Sequence, residues 1–433
     1  MTYHIRHQVD VSVSRRGEIR RRDFLRGIAA ASVAAGTLSW REMVALQARE
    51  LQKRGKSVIL LWMAGGPSQF ETFSPKPGHE NGGETKAIDT SVAGIQISDN
   101  FPHVAKMMHE AALIRSMTSK EGSHPRASYL MHTGYLPTAN VKYPAFGSIV
   151  AQQNPRAELD LPAFVRIGAG GRDSSGGGLL GVEFDPFVMP AAGKLPTNAA
   201  PTTPVDRYAR RLDLLGRLES DQAANGSAHE VAEHQKLYQN ASRMILSSQM
   251  KAFDLEQEPA AVREAYGSSQ FGLGCLLARR LVETGVPSIE VTLGGWDTHL
   301  DNFPRVKELA GQVDQPLAYL IADLKQRGLL ESTLVVWMGE FGRTPRINPR
   351  VGRDHYPRAF NVLLAGGGIQ GGQVIGSTDE SGVDVVDRPV GPTDLLQTFC
   401  KSLQIDPSFE NIAPNGRPIK IVDGGTPVSE LFA

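Results

Sequence analysis

Leu334-Val335-Val336-Trp337-Met338 is an unbroken apolar run, and with the turn after it this run constrains the fold more than any other stretch. Five consecutive apolar residues bounded by turn signals predict a strand buried on both faces of a sheet. The chain then turns on Gly339, Glu340 and Gly342 and delivers Arg343, Arg353, Asp354 and His355. A second run, Ile289-Glu290-Val291-Thr292-Leu293, ends the same way, in Gly294-Gly295-Trp296-Asp297-Thr298-His299. Ligands gather at the carboxyl ends of strands in open α/β sheets. Two buried strands, expected to be neighbours, would therefore present Asp297, His299, Glu340, Asp354 and His355 at one edge.

Further runs extend the pattern. Ser57–Met63 reads as a first buried strand, ending in Gly65-Gly66-Pro67-Ser68 with Glu71 as the nearest acid. Ala112–Met117 reads as a second, followed by Thr118, Ser119 and Ser123-His124-Pro125-Arg126. Pro125 suits the first turn of a helix capped near Ser123, where free N–H groups favour an anion. Residues 76–100 read as an exposed loop, and 160–200 as loop-rich. Val205–Leu218, Val231–Phe253 and Phe271–Thr284 carry helical spacing and form a helical insertion over about 204–285. Val306–Gln326 bridges the two principal strands, and a crossover of that length makes them parallel. Phe360–Ala365 is a further strand and Thr393–Leu403 a late helix. Alternating strands and helices predict a three-layer α/β/α sandwich with a mostly parallel central sheet, formed as one domain over residues 55–433.

Formal net charge over the 433 residues is zero, which argues against nucleic acid as a partner. The first 26 residues nevertheless hold seven Arg against Asp10, Glu18 and Asp23. Arg20-Arg21-Arg22-Asp23-Phe24-Leu25 precedes an apolar stretch from Gly27 to Leu38. This resembles a twin-arginine export signal, so residues 1–50 are expected to be signal and linker, read by the twin-arginine translocase. The expected location is then the periplasm or the exterior. No apolar run approaches the ~20 residues of a membrane span. Cys275 and Cys400 sit in apolar helical patterns and imply no disulfide framework.

Carboxylates and imidazoles ligate Zn and similar divalent ions. Asp297-x-His299 and adjacent Asp354-His355 could each place two ligands at a strand end, and Arg126, Arg343 and Arg353 could clamp an anion. The motifs Gly65-Gly66-Pro67-Ser68, Ser123 to Gly134, Gly294 to His299, Gly339-Glu340-Phe341-Gly342-Arg343-Thr344-Pro345 and Gly352-Arg353-Asp354-His355 stand in order. Together with the signal they resemble the domain-of-unknown-function 1501 family, which looks like an exported branch of the sulfatases in the alkaline phosphatase superfamily. The resemblance implies a hydrolase or transferase of phosphate or sulfate esters, dependent on a divalent metal, with Zn expected first and Mn or Ca as alternatives. It aligns Glu71 with acidic ligands after the first strand, and Ser123 to Arg126 with a nucleophile followed by Pro-x-Arg. It aligns Asp354-His355 with a second ligand pair. Glu71, Asp297, His299, Glu340, Asp354 and His355 are then the expected metal residues. Ser123, Thr118, His124, Arg126 and Arg343 are the expected catalytic ones, with His124 open between ligand and acid/base. There is no sulfatase-type Cys at the nucleophile position, and Phe341 stands where the superfamily has a ligating His. A second possibility is therefore a catalytically inactive descendant that binds an anionic glycan or a cell-envelope partner.

Overall fold

The structure, a computed structural model, describes residues 55–168, 175–196, 199 and 203–432. The expected export signal at residues 1–50 lies outside the described residues, as does any contact with a translocase. No helix among the described residues is long and apolar enough to cross a membrane.

One eight-stranded sheet organises the chain. Its strands, numbered in chain order, are β1 Ser57–Met63, β2 Ala111–Met117, β3 Phe164–Ile167, β4 Phe187–Met189, β5 Ser288–Leu293, β6 Thr333–Met338, β7 Phe360–Ala365 and β8 Gln373–Ile375. Their spatial order is β8-β2-β7-β6-β1-β5-β3-β4. All pairings are parallel except those of β7, which runs antiparallel to both β2 and β6.

Two expectations need correction here. β5 and β6 are not neighbours: β1 lies between them, with Leu61 in register with Val291 on one side and Trp337 on the other. Three wholly apolar strands look interchangeable in sequence, so pattern alone cannot order them. Residues 76–100 are also not all exposed loop, since Ala87–Asp89 pairs antiparallel with Gln96–Ser98 and Ile97 is buried, while the loop-rich 160–200 region contributes β3 and β4 to the edge of the sheet.

The helices are α1 Pro102–Met107, α2 His124–Thr133, α3 Phe146–Gln153, α4 Val205–Gln222, α5 Ala228–Leu246, α6 Ala260–Tyr266, α7 Gln270–Thr284, α8 Asn302–Gln326 and α9 Pro392–Leu403. They cover both faces of the sheet. Ile59, Leu61 and Met63 of β1 point into one core, with Cys275, Leu276 and Leu281 of α7 and Val306, Val313 and Leu317 of α8. Val58 and Trp62 point into the other, with Ile149 and Val150 of α3 and Leu395, Phe399 and Cys400 of α9. This is the period-two alternation of a strand buried on both sides. Each fully buried Val, Leu or Ile contributes roughly 1.5–3 kcal/mol relative to exposure. Both cysteines are free and buried.

Capping explains several boundaries. Ser269 accepts a hydrogen bond from Gly272 N–H to start α7, and left-handed Gly285 ends it. Asp394 accepts from Gly391 N–H at 2.9 Å to start α9. Within the expected 204–285 insertion, α4 and α5 form the helical hairpin, whereas α7 lies in the main core.

Candidate metal centre

β1, β2, β5 and β6 run in one direction, so the loops that leave them open at a single edge. β7 runs the other way and therefore begins at that edge. This brings in Asp354 and His355, which precede a strand instead of following one. A short antiparallel pair, Gly342–Arg343 against His355–Tyr356, holds His355 in register with Arg343.

The glycine at the end of β1 serves close packing between loops. Gly65 has φ 114°, and a Cβ there would meet Asp297 N at 2.5 Å. Only glycine tolerates both conditions. Its N–H donates to Glu340 Oε1 at 3.0 Å, which ties the β1 and β6 loops together. Gly352 plays a similar part, since a Cβ on it would lie 2.0 Å from the His299 carbonyl oxygen.

Three imidazoles share one arrangement. His124 Nδ1 lies 2.6 Å from Glu340 Oε1. His299 Nδ1 lies 2.8 Å from Asp354 Oδ1. His355 Nδ1 lies 2.9 Å from the Gly122 carbonyl oxygen. Each ring thus has one nitrogen held by an acceptor. Each Nε2 is turned inward to Asp297: His124 at 3.3 Å, His299 at 3.0 Å and His355 at 3.2 Å. The His299 and His355 Nε2 atoms are themselves 3.0 Å apart. Asp297 is held in turn by Arg343, whose Nη2 donates to Oδ1 at 2.6 Å.

This geometry shifts the titrations of neighbouring groups apart. Burial disfavours the charged form of His124, but the Glu340 hydrogen bond and charge, with Asp297, raise its pKa overall. Burial lowers that of His355; His124 and Arg343 add to the effect, against the Gly122 carbonyl and Asp297. Burial works against Asp297 ionising, yet Arg343, then His124 and His299, hold its carboxyl down at about 2. The His299 hydrogen bond is the chief cause that lowers Asp354. Asp297 is therefore an ionised acceptor at neutral pH.

The donor set fits a divalent metal. His124, Asp297 and His355 offer ligand atoms that all lie within 4.8 Å of one another. Tetrahedral Zn with bonds of ~2.0–2.1 Å has ligand-to-ligand edges of about 3.4 Å. The 3.0–3.3 Å separations around Asp297 are close to that value. His124 Nε2 is also buried and makes no hydrogen bond, although it faces the Asp297 carboxylate. An orphaned buried nitrogen is costly unless something else binds it. Finally, metal-ligating histidines usually pass their second nitrogen to a carboxylate or backbone carbonyl. All three rings do so here.

The remaining expected site residues stand apart from this inner group. Glu340 and Asp354 contact the Nδ1 side of the rings, and Glu340 Oε2 is buried without a hydrogen bond. Glu71, expected among the ligands, is fully buried, and its Oε1 takes Arg353 Nη2 at 2.7 Å. Arg353 is also spent on the Thr344 and Asn81 carbonyls at 3.0 and 2.7 Å, so it cannot serve as an anion clamp. Arg343 is buried as well, and beyond Asp297 it binds the Gly65, Gly66 and Arg353 carbonyls. It braces the loops where an anion clamp was expected. Arg126 is half-exposed and paired with Glu121 Oε2 at 2.7 Å. Ser123 occupies the N-cap of α2, but its hydroxyl makes no cap bond and it is exposed. Thr118 is half-buried, and its N–H is bonded to the Val390 carbonyl at 2.9 Å. Sequence reasoning missed the Gly122 carbonyl, for which no residue type gives a signal.

Comparison with known proteins yields a family but no activity. Among curated proteins no sequence matches. Several solved structures are similar. The PsFucS1 sulfatase from Pseudoalteromonas sp. is 16% identical with a TM-score of 0.39, covering 85% of this chain and 72% of that one. The lipoteichoic acid synthase LtaP from Listeria monocytogenes is 9% identical with a TM-score of 0.39, covering 86% and 75%. An alkaline phosphatase superfamily protein from Vibrio parahaemolyticus is 12% identical with a TM-score of 0.37, covering 86% and 76%. The family described as "Protein of unknown function (DUF1501)" matches residues 55–432, and the chain belongs to it.

Proposed function

We propose that the protein is an exported, metal-dependent hydrolase or transferase of phosphate or sulfate esters. The observation that carries this reading is the convergence of three histidine Nε2 atoms on Asp297, with every Nδ1 already engaged. His124, His299, His355 and Asp297 would hold the ion. Zn suits an imidazole-rich set best, Mn next, and oxygen-preferring Ca least. A bound divalent ion stabilises charge on a phosphoryl or sulfuryl group and eases deprotonation of a nucleophile.

The chain's own residues would do the rest. Glu340, Asp354 and the Gly122 carbonyl fix the three ring orientations. Arg343 keeps Asp297 ionised and in place. Ser123 is the favoured nucleophile, because its hydroxyl is exposed beside His124 and uncommitted to capping. Thr118 is the alternative. Arg126 would leave Glu121 to meet the anion. That internal pairing, together with the committed Arg343, favours a second reading: a non-catalytic protein that keeps the metal and binds an anionic glycan or an envelope partner.

Elemental analysis of the purified protein tests the proposal, alongside an Asp354→Ala, His355→Ala double variant and p-nitrophenyl phosphate and sulfate as probes. Zn or Mn bound stoichiometrically, lost in the double variant, with chelator-sensitive ester hydrolysis, is the expected result. Metal without hydrolysis selects the binding protein. No metal in either form, with equal thermal stability, overturns both readings.

A further inference from the structure

We propose that a buried triad, Arg166–Glu290–His132, acts as a positioning strut that sets the distance between His124 and Asp297. This rests on the metal reading of the strand-edge site, which the triad does not touch. His124 opens α2 and His132 lies near its other end. Glu290 sits in the middle of β5, and Asp297 lies just beyond the end of that strand. A link between His132 and Glu290 is therefore a link between the two elements that carry His124 and Asp297.

The link is inside the protein. His132, Glu290 and Arg166 are 3, 2 and 4% exposed. His132 Nε2 faces Glu290 Oε2 at 3.5 Å, and Arg166 Nε faces Glu290 Oε1 at 3.0 Å. The other side of the imidazole is also fixed. Its Nδ1 lies 2.8 Å from the Ser128 carbonyl, and its ring packs on Trp62 of β1 with centroids 4.2 Å apart.

Apolar packing alone holds α2 weakly. Ala127 and Met131 are its only buried apolar side chains. Beside the triad lies a cavity of ≈ 20 Å³ bordered by His132, Glu290, Phe146, Phe164 and Phe399. Close-packed interiors rarely leave such space, and where they do the lining atoms give no steric stop. At this point the polar contacts set how far α2 stands from the sheet. A shift of about 1 Å at His124 is enough to spoil a ligand set.

The test uses Glu290→Gln and His132→Gln in the whole chain. Leu276→Ala, a cavity variant in the opposite core, serves as a control for general destabilisation. Zn affinity is read by competition with a chromophoric chelator. A 10–100-fold loss in both triad variants is expected, the size seen when support around metal ligands is removed. The control should stay within about twofold of wild type, since it leaves that support intact. Triad variants within the same twofold, or an equal loss in the control, overturn the strut. If Glu290→Gln does not fold, His132→Gln carries the test, because it leaves the Arg166–Glu290 pair in place. If wild type itself binds no metal, the proposed function fails separately, and crystal structures of the metal-free variants decide. His124 displaced from Asp297 by about 1 Å or more supports the strut. A superposable His124 overturns it.

Discussion

Helix α2 and strand β5 carry two clusters of histidine and carboxylate, one at each end of their contact. At the sheet edge, His124 meets Asp297 and Glu340 with side chains 28, 43 and 2% exposed. In the interior, Glu290 meets His132 and Arg166 with every member under 6% exposed. The chemical groups are nearly the same. The edge cluster gathers three Nε2 atoms around a single carboxylate, whereas an imidazole nitrogen without a hydrogen bond occurs in both clusters, at His124 and at His132. The interior cluster sets one carboxylate between two basic side chains. Charge density alone therefore does not mark a site. What distinguishes the edge is the number of donor atoms turned to one half-exposed carboxylate.

Each cluster can be disrupted without the other. Asp297→Asn should have the largest effect on metal: stoichiometric binding is lost, while the protein stays folded by circular dichroism, because Asn keeps an oxygen to accept from the buried Arg343. Retention of metal in this variant would remove Asp297 from its central place. Arg166→Met should do the opposite. It strands Glu290 in the interior and should lower stability by about 3–5 kcal/mol, read from urea midpoints. A loss below about 1 kcal/mol would mean the pair is solvated and not closed.

The smallest expected effect is one of acidity, and it sharpens the contrast. Burial opposes ionisation of Glu290, but Arg166 and His132 overcome it and hold its carboxyl down at about 2. A folded pKa below the unfolded value near 4.5 adds stability that is fully present above that value. It is lost as pH falls from there toward 2, by on the order of 3 kcal/mol in all. Between pH 5 and 3 the unfolding free energy of wild type should thus fall more steeply than that of Glu290→Gln. Equal slopes would show that Glu290 is not ionised inside the fold.

Much of this was legible in the sequence. The apolar runs named the strands β1, β2, β5, β6 and β7, and the glycine-ended loops pointed to Asp297, His299, Glu340, Asp354 and His355. Sequence could not order three equally apolar strands, which is why β1 between β5 and β6 came as a correction. It could not tell Asp297, inside the ring of imidazoles, from Glu340 and Asp354 behind them either, because all three are carboxylates. Only distances show Glu340 and Asp354 on the Nδ1 side. Glu71 looked available for metal because its partner, Arg353, lies 282 positions away in the chain. Arg343 looked like an anion clamp for a similar reason. The carbonyls that occupy it belong to Gly65 and Gly66, residues chosen for backbone shape.

The reversed course of β7 has a consequence for how this protein can vary. A parallel strand would require the chain to cross back over the sheet before re-entering it. Because β7 enters from the end at which β6 leaves, residues 339–359 stay at the mouth of the site throughout. Glu340, Arg343 and Arg353 of that segment are buried against the loops after β1 and β5, so its two ends are fixed, and Arg346–Val351 between them is its more exposed part. Within that part, Asn348 donates to the His299 carbonyl at 3.0 Å, next to the imidazoles. Changes in what the site accepts should therefore fall in Arg346–Val351, while the buried ends of the segment stay the same.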